Sequence, residues 1–277
     1  MSFPPLDVAL CQYRFDAVDS IDELTERAET LFERAGTADV YVLPELFAVD
    51  AVRPTAGALP TLAESEFDAL RAWCRRQAEH RNAVVVAGSA YVEIDGTIRN
   101  RSLIATPDGT VVAYDKLRPI PQERSDGVVP GKKQPPLIQY NGTEIGVLLC
   151  YDVEFPSVAR SAVDRGAELL VVPSWTAHEG GYQRVRRCAA ARAVENQVYV
   201  AQVCLVGSHP TESLEGGTGR SALFAPCDDV VGADGTRLSL SRDRHAAATT
   251  AVDLERLRTA RQSASVRPYT DTEVFEP

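Results

Sequence analysis

The chain has 277 residues, 44% of them hydrophobic and 25% charged, with a formal net charge of −10 and a pI near 5.0. That length suffices for a sizeable core, and the acidic surplus excludes the basic face that nucleic acid or an anionic membrane surface requires. No run approaches the roughly 18 apolar residues of a membrane helix, and "MSFPPLDVALCQYRFD" lacks the basic and apolar regions of a signal peptide, which implies an unprocessed, cytoplasmic start.

"LDVALCQY" (6–13) reads as a first buried strand. "SIDELTERAETLFERAG" follows as a helix, with Ser20 and Glu23 in capping-box spacing, Ile21, Leu24, Ala28, Leu31 and Phe32 on one face, and Gly36 past the last turn. "DVYVLPE" (39–45) is a short strand ending in a carboxylate, "TLAESEFDALRAWCRRQAEHR" a second long helix, and "AVVVAG" a core strand. Asp95-Gly96 and Asp108-Gly109 then divide three strands of an antiparallel meander, and Asn141-Gly142 marks a hairpin leading into "GVLLC". "FPSVARSAVDRG" is a short helix with Pro156 in its first turn and Gly166 at its end. The strand "AELLVVPSW", the helix "GYQRVRRCAAARAVENQ" and the strand "VYVAQVCLVG" precede a Gly/Ser/Thr-rich loop at 207–220. "SALFAP" and "AAATTAVDL" are late strands, and roughly 262–277 is a C-terminal tail. With no repeat and no linker, residues 1–277 read as one α/β domain with a mixed sheet or two stacked sheets flanked by helices.

Six cysteines (Cys11, Cys74, Cys150, Cys188, Cys204 and Cys227) are scattered without a CxxC pair, as reduced cytosolic thiols are, and the four histidines are isolated. Neither a metal nor an organic cofactor is expected. Three polar residues stand where apolar strands stop: Glu45, Lys116 and Cys150. Each has an ordinary alternative: a helix-capping carboxylate, a solvated ammonium, a small buried hydrophobe. Lysine, however, occurs only at 116, 132 and 133 in a chain that otherwise uses arginine, so an ammonium at Lys116 points to a task arginine does not serve. Together, a carboxylate that takes and returns a proton, an ammonium that holds an oxyanion and a thiol make a coherent acyl-transfer set.

The ordered strings "LPE", "YDKLRPIPQE", "VPG", "LLCYDVEFP" and "ARAVENQVYV" resemble the nitrilase superfamily of carbon–nitrogen hydrolases over nearly the whole chain. The resemblance implies a four-layer αββα sandwich with two stacked mixed sheets, dimerised through the helices at 155–165 and 180–196. It implies Glu45 as general base and acid, Cys150 as nucleophile, Lys116 as oxyanion stabiliser, the Tyr151 amide as second oxyanion donor, and Glu123 as a further active-site glutamate. Trp175, His178 and Tyr182 are expected to line the acyl pocket, and Glu154 to contact substrate or sit at a helix start. The implied reaction hydrolyses a small amide-like substrate through a cysteine thioester, releasing ammonia or an amine. A nitrile- or N-carbamoyl-cleaving activity is the alternative, and a catalytically silent binding homologue the alternative of another class. Ser157 stands where the family usually has "FPE", and "SWTAHEGGYQRVR" resembles an uncharacterised branch sometimes fused to an N-acetyltransferase domain.

Overall fold

The computed structural model describes residues 5–53, 58–209 and 215–271. In chain order the strands are β1 (Leu6–Gln12), β2 (Val40–Leu43), β3 (Thr61–Leu62), β4 (Val84–Ala87), β5 (Ala90–Ile94), β6 (Thr97–Ala105) and β7 (Val111–Asp115), then β8 (Leu137–Tyr140), β9 (Thr143–Val147), β10 (Ala167–Trp175), β11 (Tyr199–Leu205), β12 (Ala222–Phe224), β13 (Thr236–Ser239) and β14 (Ala246–Val252). The helices are α1 (Ile21–Ala35), α2 (Glu64–Arg81), α3 (Pro121–Ser125), α4 (Pro156–Val163), α5 (Glu179–Asn196) and α6 (Leu254–Ser263). One sheet runs β14-β1-β2-β4-β6-β5-β3, with β7 also paired to β6; the other runs β13-β12-β11-β10-β9-β8. Both are mixed: β1, β2 and β4 are parallel, as are β9, β10 and β11 and the edge pair β3–β5, while the remaining pairs are antiparallel.

The near-continuous apolar strands follow from burial on both faces. The two-residue period sends Leu6, Val8 and Leu10 of β1 into the space between the sheets, beside Val40, Val42, Val84 and Val86 and against Ile145, Val147, Leu169 and Val171 of the second sheet. The alternate residues Ala9 and Cys11, with Tyr41, Leu43 and Val85, face outward under α1 and α2. Leu148, Leu170, Val172 and Val200 lie likewise under α4 and α5. Three apolar interfaces therefore separate four layers, αββα.

Local signals place most elements. Ser20 Oγ accepts from Glu23 N at 3.2 Å, while Glu23 Oε2 reaches back to Asp19 N at 2.9 Å, one residue before the cap. The second helix begins at Glu64, because Thr61 and Leu62 pair with β5 and Glu66 Oε2 accepts from Ala63 N at 2.8 Å. The short α3, the edge strand β13 and the C-terminal α6 are additions to what the sequence suggests. Asp253 caps α6, accepting from Arg256 N at 2.9 Å, and Leu254, Leu257 and Ala260 anchor it in the core between the sheets. The expected tail is docked as far as it is described: Arg160 and Arg261 lie 5.1 and 4.9 Å from the Tyr269 ring, and residues 272–277 lie outside the described residues. Among the described residues no helix is long and apolar enough to cross a membrane.

Candidate active site

Three chain breaks bring the strand-end residues together. After β2 the chain turns at Pro44 and Glu45, with Leu46 left-handed at φ 54°. Gly88, at φ 51° in the break between β4 and β5, makes room for this turn: a Cβ there would lie 1.9 Å from the Pro44 carbonyl oxygen. Ser89 Oγ then accepts from Leu46 N at 2.9 Å. Lys116 leaves β7 with its amide donating to Asn100 O (2.9 Å) and its carbonyl accepting from Gly131 N (2.8 Å). A Cβ at Gly131 would stand 2.2 Å from Asp115 O, so this close passage excludes a side chain. Beyond β9, Cys150 adopts φ 41°, a conformation that costs a non-glycine residue about 1–2 kcal/mol.

Asp152 holds that strained elbow. Its buried carboxylate accepts from Leu149 N (3.2 Å), Arg118 N (2.8 Å) and the Tyr114 hydroxyl (2.9 Å), tying the turn after Cys150 to the chain around Lys116. Trp175, at the end of β10, completes the frame: its amide donates to Glu45 Oε2 at 3.1 Å and its carbonyl accepts the Cys150 thiol at 3.4 Å.

At the centre, Lys116 Nζ lies 2.8 Å from Glu45 Oε1 and 2.8 Å from Glu123 Oε2. Asn100 Nδ2 donates to both carboxylates, at 3.0 Å to Glu45 and 2.9 Å to Glu123. The Tyr91 hydroxyl (3.2 Å) and Ile120 N (2.7 Å) donate to Glu123 as well. Glu45, Lys116, Glu123 and Cys150 are each at most 4% exposed.

Their environments push the proton affinities apart. Burial raises the Glu45 carboxyl above its ordinary value; Lys116 opposes this and the Glu123 charge adds to it. Burial acts on Glu123 too, but Lys116 and the donors Asn100 and Ile120 N hold it below the usual carboxylate value. Burial alone would lower Lys116, yet Glu45 and Glu123 keep the ammonium protonated well above the ordinary range. Burial and then the Glu45 charge push the Cys150 thiol well up, so it rests protonated beside a carboxylate able to take its proton. Lys116 is thus held between two carboxylates of unlike proton affinity, Glu45 raised and Glu123 lowered.

A family model described as carbon-nitrogen hydrolase matches residues 7–262. The chain belongs to the carbon-nitrogen hydrolase family. Probable hydrolase YhcX of Bacillus subtilis (strain 168) is 31% identical over 275 residues, which cover 96% of this chain but only 53% of that protein, so the chain spans about half its length. An (R)-stereoselective amidase of Pseudomonas sp is 32% identical over 192 residues, 69% of this chain and 67% of the amidase. Among solved structures, a mutant of the amidase from Nesterenkonia sp. AN1, with the acetamide moiety of fluoroacetamide added covalently at its active site cysteine, is 25% identical with a TM-score of 0.73. That match covers 92% of this chain and 95% of the amidase.

In this member of the family a cavity of about 880 Å³ meets the cluster at Glu123, Tyr91 and Trp175. Of the three residues expected to line the pocket, Trp175 lines that cavity and His178 and Tyr182 stand outside its wall; Glu154, expected at a substrate contact or near a helix start, lies two residues before α4. Glu154 accepts from Arg184 Nε at 2.6 Å on α5; the Tyr182 ring is buried beside Cys204 and Val206; the His178 side chain is 82% exposed, 3.9 Å from Glu215. Tyr151 opens the turn after Cys150 with its ring edge-on to Phe155. Asn100, Asp152 and Tyr91 are the contributors that sequence reasoning misses. Asp152 stands in plain view in "LLCYDVEFP", where an aspartate two residues after the cysteine reads as an ordinary turn residue. Among the described residues no group of three His, Cys, Asp or Glu is arranged to hold a metal ion.

Proposed function

We propose that the chain hydrolyses the carbon–nitrogen bond of a small amide through a thioester on Cys150. One observation carries the reading: a buried thiol lies beside a carboxylate that shares its lysine with a second carboxylate, one held below its usual pKa by that lysine. The covalent adduct on the cysteine of the Nesterenkonia amidase, which has the same fold, supports it.

Ionised Glu45 takes the thiol proton as Cys150 Sγ attacks the carbonyl carbon. An ammonium has three donors, and Lys116 gives two to Glu45 and Glu123; the third, with the Tyr151 amide, receives the oxyanion. Glu45 returns the proton to the leaving nitrogen, ammonia or an amine departs, and a thioester remains. Glu45 then takes a proton from water as the water oxygen attacks the thioester carbon. The acid leaves, and that proton returns to the sulfur. Glu123 holds the ammonium in place throughout.

The test is an ammonia-release screen over short aliphatic amides, ω-amides, N-carbamoyl compounds and nitriles, with Cys150→Ala as control. Release from an amide that Cys150→Ala abolishes is the expected result; release that survives in the variant overturns the nucleophile assignment. The screen also separates the amide reading from the nitrile and N-carbamoyl ones, and silence on every compound is what a binding homologue would give.

The same reading extends to a cytoplasmic homodimer paired through α4 and α5. All six cysteines are free, as in a reducing compartment, and Val194 on α5 is one of three large hydrophobic side chains exposed among the described residues. A monomer by sedimentation velocity at micromolar concentration would overturn the dimer.

A further inference from the structure

The amidase reading leaves the acyl group open, and the wall of the cavity bears on it. We propose that the preferred substrate is an amide whose acyl chain ends in a protonated amine or guanidinium, and that Asp126 and Glu215 select it; this rests on the amidase reading. The cavity is lined by three carboxylates, Glu123 at its inner end and Asp126 and Glu215 toward solvent, and by no Lys, Arg or His among its described residues. Glu123 is committed to Lys116, whose own charge is bracketed by two carboxylates, so the inner end offers no free positive charge to an incoming anion.

The basic residues next to the lining have contacts of their own: Arg124 donates to Pro119 O at 2.7 Å and Arg118 stacks 5.4 Å from the Phe155 ring. His178, outside the wall, faces Glu215 at 3.9 Å, and Asp126 accepts from Gln122 Nε2 at 3.0 Å, so a ligand cation would compete with these two neighbours. Between the two ends, Leu59, Pro60 and Ile120 give the wall an aliphatic stretch. A carboxylate carried on the acyl chain would meet charges of its own sign, whereas a cation would find Asp126 or Glu215.

Three amides with the same five-carbon acyl chain test this: pentanamide, 5-aminopentanamide and glutaramate, compared by kcat/KM for ammonia release at low and at 0.5 M salt. Their binding to Cys150→Ala is measured by calorimetry in parallel. We expect the amino compound to exceed glutaramate by about tenfold or more at low salt, with the gap narrowing at high salt. In the Cys150→Ala background the double variant D126K/E215K, which changes only exposed side chains, should erase or invert the order of binding of the amino compound and glutaramate. Equal or better binding of glutaramate, or no binding of the amino compound to Cys150→Ala, overturns the proposal. Pentanamide turnover reports on the amidase reading separately, so the two can fail independently.

Discussion

At the scale of single residues, two glutamates share one lysine and differ in what they can do. In the proposed mechanism Glu45 must be ionised to accept the thiol proton, and burial with the Glu123 charge lifts its pKa above the ordinary 4.5. The acid limb of kcat/KM for ammonia release therefore lies above pH 4.5, with activity lost as pH falls through that raised value. Glu123→Gln removes a neighbouring negative charge and leaves Lys116 to Glu45 alone; both changes favour ionised Glu45, so the limb moves to lower pH. A limb that stays put or moves upward in Glu123→Gln would show that the two carboxylates are not coupled. Glu45, Lys116 and Cys150 were legible in the sequence because each ends an apolar run. Asn100 was not: in "TIRNRSLIA" it sits between two arginines like any strand residue, and only the pairing of β6 with β5 turns its amide between the two carboxylates.

Elements position these residues through backbone close approaches, and Gly88 is the most constrained. Alanine there meets two penalties: a left-handed φ of 51°, and a Cβ 1.9 Å from Pro44 O, one residue before Glu45. Gly96, at φ 70° in the β5–β6 turn, has nothing within 4 Å of a built Cβ and isolates the conformational cost, about 1 kcal/mol. Gly96→Ala should lower Tm by a few degrees and leave kcat unchanged. Gly88→Ala should lower Tm further and reduce kcat by about tenfold to a hundredfold, because the Pro44–Glu45 turn must move. Equal kcat in the two variants would show that the turn does not set the position of Glu45. The Asp-Gly and Asn-Gly turns and the Ser20 cap were readable because their chemistry is local. β3, β13, α3 and α6 were not: the strands are two and four residues long, α3 is one turn, and α6 declares its apolar face only against the core between the sheets.

For the whole molecule, the continuous apolar strands made the α/β class legible, since strands buried on both faces need layers on both sides. The closure of the first sheet was less so, because β14 lies more than 230 residues from its partner β1. Polar contacts hold that long-range seam. Gln12 Nε2 donates to the carbonyls of Ser241 and Arg244, its Oε1 accepts from Ser221 on the second sheet, and His245 Nδ1 accepts from Arg14 N at 3.3 Å. His245 can accept that bond only when neutral. Burial, followed by the charges of Arg27 and Arg34, lowers its pKa from 6.5 to about 4. The folded protein thus binds this proton less readily than the unfolded chain, so the contribution is complete above pH 6.5 and is lost as pH falls from there to about 4. His245→Asn keeps an acceptor without a titrating group, so its Tm should fall less than that of the parent between pH 7 and pH 4. Parallel Tm–pH curves would show that the neutral imidazole does not hold the β1–β14 seam, leaving strand pairing and the Gln12 bridge as what fastens the two ends of the chain.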